Sequence, residues 1–292
     1  MPVTPVTSVP YTPHRDHVYD FVRSRGPADL YLDVGAASGE VSLRIAADAA
    51  NVLAFEPFPH NAQVFRQRLA KYQHVELIEK AVSNRRGHAT FFVASTVQGD
   101  EPGWKDQVGY SSVGRIPDSL RERLKSYKSI GIAALRRRRG AQILRVETTT
   151  LDSELRGRVV DFMKVDVQGA ERRLLEGAKS SLESQNIRLI YIEWTGDPEV
   201  ERLLDDAGYC IYDSVYLALG SRVEFEAAGF KVLGEVPLST GETAVELAFY
   251  GASADIGKAL RELNTGDQWI QTDLIALPRD DEAEFTEFLR SS

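Results

Sequence analysis

With 292 residues, 43% of them hydrophobic, the chain has enough apolar material for one enlarged domain, which excludes a disordered or fibrous protein. A net charge of −8 argues against a general nucleic-acid binder, because neutralising phosphates requires a basic face. The single cysteine, Cys210, excludes internal disulfides and a cysteine-rich zinc site and fits a reducing compartment. With no signal-peptide core and no apolar run of membrane-spanning length, the expected location is cytoplasmic.

Residues 1–17 read as an N-terminal arm, and 18–292 as a single domain. From Leu30 onward, short β-like runs alternate with helical patterns. This predicts an α/β fold with a doubly wound, mostly parallel sheet. The first strand spans about Leu30 to Val34, a helix runs from Gly39 to Ala49, and a second strand covers Val52 to Glu56. Pro57 and Pro59 stand where proline is tolerated at a helix start, and Ala62, Phe65, Leu69 and Tyr72 recur at helical spacing. A third strand, Val75 to Ile78, leads into the turn Glu79 to Ser83, and a further short strand covers Ala89 to Val93.

The rhythm then breaks over about 95–142, an insertion expected to cover the substrate side as a lid. Its basic part includes Arg121, Arg123, Lys125, Lys128 and the run Arg136 to Arg139. That stretch is either a solvated helix face or an electrostatic guide for an anionic acceptor. Alternation resumes with a strand at Leu144 to Thr149, a short helix at Leu151 to Leu155, and the apolar strand Val159 to Val165, which ends at Asp166. Ala170, Leu174, Leu175, Ala178 and Leu182 form one helical stripe, and Ile187 to Ile192 gives a strand ending at Glu193 and Trp194. Asp197 and Pro198 start a helix that Gly208 closes, and Ile211 to Leu219 is the sixth strand. A C-terminal elaboration at about 220–268 contains an added strand, Ala244 to Tyr250, and a helix, Asp255 to Leu263; the last strand is Trp269 to Leu277.

The turn after the first strand carries the first chemical signal. Asp33 is followed by Gly35, Ala37 and Gly39 at a helix start, and Glu56 lies 56 − 35 = 21 positions past Gly35. That layout suits a nucleoside ligand, with the acid at Glu56 placed to hold ribose hydroxyls. A dinucleotide would need Gly-x-Gly-x-x-Gly, but Ala37 replaces the middle glycine, and Asp33 would repel a pyrophosphate. The same acid suits S-adenosylmethionine, which carries a sulfonium and an amino group. A third alternative is that Gly35 and Gly39 only permit tight strand-to-helix packing.

Four ordered motifs extend this signal: Phe55-Glu56-Pro57-Phe58-Pro59-His60-Asn61, Lys80-Ala81-Val82-Ser83, Thr149-Thr150-Leu151-Asp152, and Asp161-Phe162-Met163-Lys164-Val165-Asp166-Val167-Gln168-Gly169-Ala170-Glu171. Together they resemble the FkbM-type family of S-adenosylmethionine-dependent methyltransferases, and Gln271-Thr272-Asp273-Leu274 is similar as well. The resemblance implies a class I methyltransferase fold with a Rossmann-like seven-stranded sheet. It further implies S-adenosylmethionine as cofactor, S-adenosylhomocysteine as product, and most often a hydroxyl acceptor on a sugar, polyketide or related metabolite. Carried over by position, Asp33, Gly35 and Gly39 form the methionine-end turn, Glu56 is the ribose ligand, and Ala81 and Val82 line the adenine. Ala37, Pro57 and Phe58 complete the cofactor set. Ala37 departs from the asparagine usual there, and Phe58 from a polar residue.

At the acceptor, the enzyme must align a hydroxyl, keep water out and take up a proton. Asp166 and Glu193, at strand ends opening onto the crevice, are the candidate catalytic carboxylates. Alternatively, Asp166 caps the helix near Gly169 and Glu193 pairs with a basic residue. Strand alternation puts Lys164 on one face with Phe162 and Asp166, where it would hold Asp166 ionised unless it turns to solvent. Glu171 suits its helix start, Trp194 suits packing, and His60 lies next to the ribose-side turn. His14 and His17 have no third ligand nearby, so no metal is expected. The expected activity is O-methylation of a small-molecule or glycan hydroxyl. The alternatives are a nucleic-acid methyltransferase using the basic insertion, or a non-catalytic cofactor-binding partner.

Overall fold

The computed structural model describes residues 17–93, 112–114, 142–194, 197–219, 221–227, 232–237, 243–252 and 270–291. Most of the basic insertion, His14, Asp255 to Leu263 and the arm before His17 lie outside the described residues. The strands are β1 (Ala28–Val34), β2 (Ala49–Phe55), β3 (Val75–Ile78), β4 (Ala81–Val82), β5 (Gly87–Val93), β6 (Ser112–Gly114), β7 (Gln142–Thr149), β8 (Phe162–Val165), β9 (Ile190–Trp194), β10 (Tyr209–Leu219), β11 (Val232–Pro237), β12 (Thr243–Ala252) and β13 (Ile270–Pro278). The helices are α1 (His17–Ser24), α2 (Glu40–Ile45), α3 (Pro59–Leu69), α4 (Leu151–Leu155), α5 (Glu171–Glu176), α6 (Lys179–Glu183), α7 (Pro198–Asp206), α8 (Arg222–Ala227) and α9 (Glu282–Ser291).

The main sheet has nine strands in the order β11-β12-β10-β13-β9-β8-β1-β2-β3. From β3 to β9 every pairing is parallel, and β13 runs antiparallel between β9 and β10. These seven strands are the doubly wound class I methyltransferase sheet expected from the sequence. β12, anticipated as an added strand, and β11 extend it with antiparallel pairings. Among the described residues, no helix is long and apolar enough to cross a membrane.

Strand alternation divides the core into two layers. Leu30, Leu32, Val34, Met163, Val165, Ile190 and Ile192 pack with Leu151, Leu174, Leu182 and Leu204 of α4 to α7. Tyr31, Phe162, Leu189 and Ile275 face the opposite way, against Val18, Phe21, Ile45, Phe285 and Leu289 of α1, α2 and α9. Burying such side chains contributes roughly 1.5–3 kcal/mol each, so the two layers fix the strand register that positions the site.

Two sequence expectations change in detail. The helix expected from Gly39 to Ala49 stops at Ile45, and β2 already starts at Ala49. The single stripe from Ala170 to Leu182 is split into α5 and α6 at Gly177, where an added Cβ would lie 2.0 Å from the Ser83 carbonyl oxygen. Only glycine permits that approach, and the spacing of apolar residues gave no sign of it.

The expected turn at Ala81 and Val82 is instead a strand, β4, in a second four-stranded sheet ordered β4-β7-β5-β6. β4 pairs in parallel with Thr148 and Thr149, so two motifs distant in sequence are held together here. In the second of these motifs, the Thr150 side chain accepts from Ser153 N–H to cap α4. The Asp152 carboxylate accepts from the N–H groups of Ser180 and Ser181 at the start of α6. Asp197 caps α7 as expected, accepting from Glu199 N–H at 3.0 Å, with Pro198 in the first turn.

Candidate functional site

The first turn is built from internal bonds. Gly35 and Ala36 both donate to the Phe55 carbonyl oxygen at 3.0 Å, which joins the ends of β1 and β2. Gly35 has φ 83°, and a Cβ there would lie 1.8 Å from the Asp166 carbonyl oxygen; one at Gly39 would meet the Phe65 ring at 2.7 Å. Both glycines are therefore required by packing as well as by backbone conformation. Ala37 adopts φ 47°, a left-handed conformation that asparagine tolerates better than alanine.

Glu56 is buried, and its two oxygens each take a backbone N–H at 2.8 Å: Oε2 from Ala37 and Oε1 from Phe58. It thus ties the first turn to the start of α3. Burial pushes its carboxyl up to about 7 despite these bonds. Asp33 is wholly buried; its Oδ2 accepts from the Ser42 hydroxyl at 2.6 Å, and its Oδ1 has no hydrogen-bond partner among the described residues. Burial raises its carboxyl, and the Lys164 ammonium opposes that rise.

Phe58 is buried with Ala81, Phe91, Val146 and Ala170 between the two sheets. Its ring lies 5.9 Å from that of His60, which is itself exposed. Val82 is buried in the larger core layer, and Pro57 is half-buried.

Across the crevice, register gathers charge in two rows. Asp33 on β1 is opposite Lys164 on β8, and Lys164 is opposite Tyr191 on β9. One step further along, Glu193 on β9 is opposite Asp273 on β13, with Asp166 directly after β8. The Lys164 ammonium lies 2.7 Å from Asp166 Oδ2. Gln168 donates through Nε2 to Asp166 Oδ1 at 2.7 Å and to Glu193 Oε2 at 2.9 Å. Tyr191 donates its hydroxyl to Asp273 Oδ2 at 2.6 Å.

Burial disfavours charge on Asp166, yet Lys164 together with hydrogen bonds from Glu193, Lys164 and Gln168 holds its carboxyl well below the usual range. Burial and the Asp166 charge push Glu193 up to about 10. Burial and the Asp166 charge thus oppose ionisation of Glu193, while the Lys164 ammonium favours the charged form of Asp166. For Lys164 burial acts against the charge, but Asp166, Asp33 and Glu193 outweigh it and raise its pKa.

Lys164 therefore turns inward to Asp166 rather than to solvent. Glu171 serves its helix start, as read from the sequence, with Oε1 accepting from Gly169 N–H at 2.8 Å. Gln168, Tyr191 and Asp273 join the site without having been singled out for a role. The only sequence signals available for them were the motif around Gln168 and the Gln271 to Leu274 ending.

A model of the methyltransferase FkbM domain matches residues 33–211, more than half of the chain and the span that holds both halves of this crevice. The chain belongs to the FkbM methyltransferase family. As an FkbM methyltransferase it uses S-adenosylmethionine. The residues present fit that cofactor: the buried Asp33 oxygen without a hydrogen-bond partner among the described residues suits a cation, and the buried Glu56 carboxylate is a candidate for ribose hydroxyls.

The 2-O-methyltransferase NoeI of Sinorhizobium fredii (strain NBRC 101917 / NGR234) is 29% identical over 177 residues, covering 58% of this chain and 64% of that protein. The match thus spans less than two thirds of the relative's length. Among solved structures, precorrin-6y C5,15-methyltransferase from Geobacter metallireducens GS-15 has a TM-score of 0.37 at 11% identity, over 89% of this chain and 87% of that one. The N-methyltransferase NodS from Bradyrhizobium japonicum WM9 has a TM-score of 0.32 at 9% identity, over 81% and 94%. Likenesses this distant carry no functional weight.

Proposed function

We propose that this methyltransferase acts on a hydroxyl oxygen of a sugar, glycan or other small metabolite, with Asp166 receiving the acceptor's proton. The observation that carries the reading is the Asp166–Glu193 pair at the carboxyl ends of β8 and β9, bridged by Gln168 Nε2 and with the Lys164 ammonium 2.7 Å from Asp166 Oδ2. When bound, S-adenosylmethionine supplies an activated methyl group on a sulfonium. The chain's own residues must align the acceptor oxygen, exclude water and remove a proton. An oxygen gaining a methyl group becomes acidic as the bond forms, so even a weak base such as the ionised Asp166 suffices late in the step. Lys164 keeps Asp166 charged and ready, and Glu193 orients it through their shared hydrogen bond.

On the cofactor side, the proposal gives Glu56 the ribose hydroxyls through the remaining lone pairs of its oxygens. The Asp33 charge lies behind the methionine end at the turn formed by Gly35, Ala37 and Gly39. The adenine side is assigned to Pro57, Phe58, Ala81 and Val82, of which Phe58 and Ala81 share one buried apolar cluster. The acidic rows favour a neutral acceptor over an anionic one, and the similarity to NoeI, a 2-O-methyltransferase, supports oxygen as the target.

The test is incubation with methyl-labelled S-adenosylmethionine and a panel of hydroxylated sugars and metabolites, with products read by mass spectrometry and the methyl position by NMR. The expected product carries one labelled methyl on oxygen. Label found only on nitrogen, carbon or nucleic acid would reject the reading.

A further inference from the structure

We infer that Gln168 is a positioning residue, whose side-chain amide clamps Asp166 and Glu193 into one hydrogen-bonded unit facing the crevice. The inference rests on the proposed role of Asp166. Its basis is geometric: a single Nε2 atom lies 2.7 Å from Asp166 Oδ1 and 2.9 Å from Glu193 Oε2, and so bridges two strand ends that are not otherwise covalently close.

The backbone is shaped to permit this. Gln168 has φ 51° and Gly169 φ 91°, two successive left-handed residues directly after Asp166 and Val167. A non-glycine residue in this conformation persists only where its surroundings enforce it. Here the enforcing contact is the buried Glu171 carboxylate, which accepts from Gly169 N–H.

Asp166 then has a donor on each oxygen, Lys164 on Oδ2 and Gln168 on Oδ1. The charged groups facing the pair come from four elements: Asp33 of β1, Lys164 of β8, Glu171 of α5 and Asp273 of β13. Three of these four are acids. The amide is thus the neutral donor that lets two carboxyls approach without a second cation, which would oppose a cationic cofactor.

The decisive variant is Gln168→Glu, which keeps size and shape but replaces the N–H donors with an acceptor; Gln168→Ala removes the group. If the amide clamps the pair, Gln168→Glu lowers kcat by about a hundred-fold and Gln168→Ala by about ten-fold, the range expected for one charge-assisted hydrogen bond. The affinity for S-adenosylhomocysteine changes little, and the acid limb of the pH–rate profile moves up in both variants. A mere spacer would give the reverse order, with the isosteric Glu near wild type and an unmoved profile, and that result would overturn the inference.

A second readout needs neither cofactor nor acceptor: carboxyl 13C titration of the free protein, with Asp166 and Glu193 assigned by Asp166→Asn and Glu193→Gln. The expected result is that Asp166, ionised throughout in wild type, begins to titrate within the accessible acid range in both Gln168 variants. Identical titrations in all three proteins would overturn the clamp even if methyl transfer to oxygen is found. A shifted titration without transfer to any hydroxyl would support the clamp and reject the O-methylation reading instead.

Discussion

At the ends of β1 and β2 the Glu56 carboxylate is held by backbone N–H groups of Ala37 and Phe58, whereas at the ends of β8 and β9 Asp166 and Glu193 are held by the side chains of Lys164 and Gln168. The first arrangement is fixed as soon as the two strands and the start of α3 are in register. The second rests on rotatable side chains. Under the proposed function the first would seat the nucleoside and the second would meet the acceptor.

The two halves touch at Gly35, and the sharpest way to break both is there. Gly35→Ala puts a Cβ into the Asp166 carbonyl at a positive φ, with an expected loss of about 3 kcal/mol or more in stability, read by thermal or denaturant unfolding. Near-wild-type unfolding would mean that the two strand ends are not packed this closely.

Asp166→Asn acts on the adjustable half alone. Turnover is expected to fall about a hundred- to ten-thousand-fold, with cofactor affinity by calorimetry changed far less. Surviving turnover would move the proton to another group. Glu56→Ala acts on the rigid half, with S-adenosylhomocysteine affinity reduced by about ten- to a hundred-fold, since at least one charge-assisted bond is lost. Unchanged affinity would remove Glu56 from the ribose.

A final test concerns pH. Folding raises the Glu193 carboxyl from its ordinary 4.5 to about 10, so across that window the folded protein keeps a proton that the unfolded chain has lost. The contribution of this group to stability therefore falls as pH rises between the two values. Glu193→Gln cannot lose that proton, so its unfolding temperature is expected to decline less than that of wild type between about pH 5 and pH 9. Parallel declines would show that Glu193 ionises normally.

Much of the cofactor side was legible because its signals are local. Asp33, the turn glycines and Glu56 stand at fixed offsets from two apolar strands, and the caps at Asp197 and Pro198 are read from neighbouring residues. The physical role of the glycines was less legible, because the groups a Cβ would strike, Asp166 and Phe65, come from other elements. On the acceptor side, strand alternation placed Lys164 on the face of Asp166. The bridge from Gln168 and the upward push on the Glu193 carboxyl appeared only when β8 and β9 were side by side.

The sequence by itself determined the main alternation of strands and helices, the family, and the carboxylates at the strand ends, because periodicity, capping and motif spacing are written within a few residues of each other. Tertiary structure decided where β4 pairs, why Gly177 splits a helix, and how Asp273 reaches Glu193 from the far end of the chain. It also decided which carboxyl is pushed up and which is held down. Register and desolvation are properties of neighbours in space, and a linear pattern does not contain them.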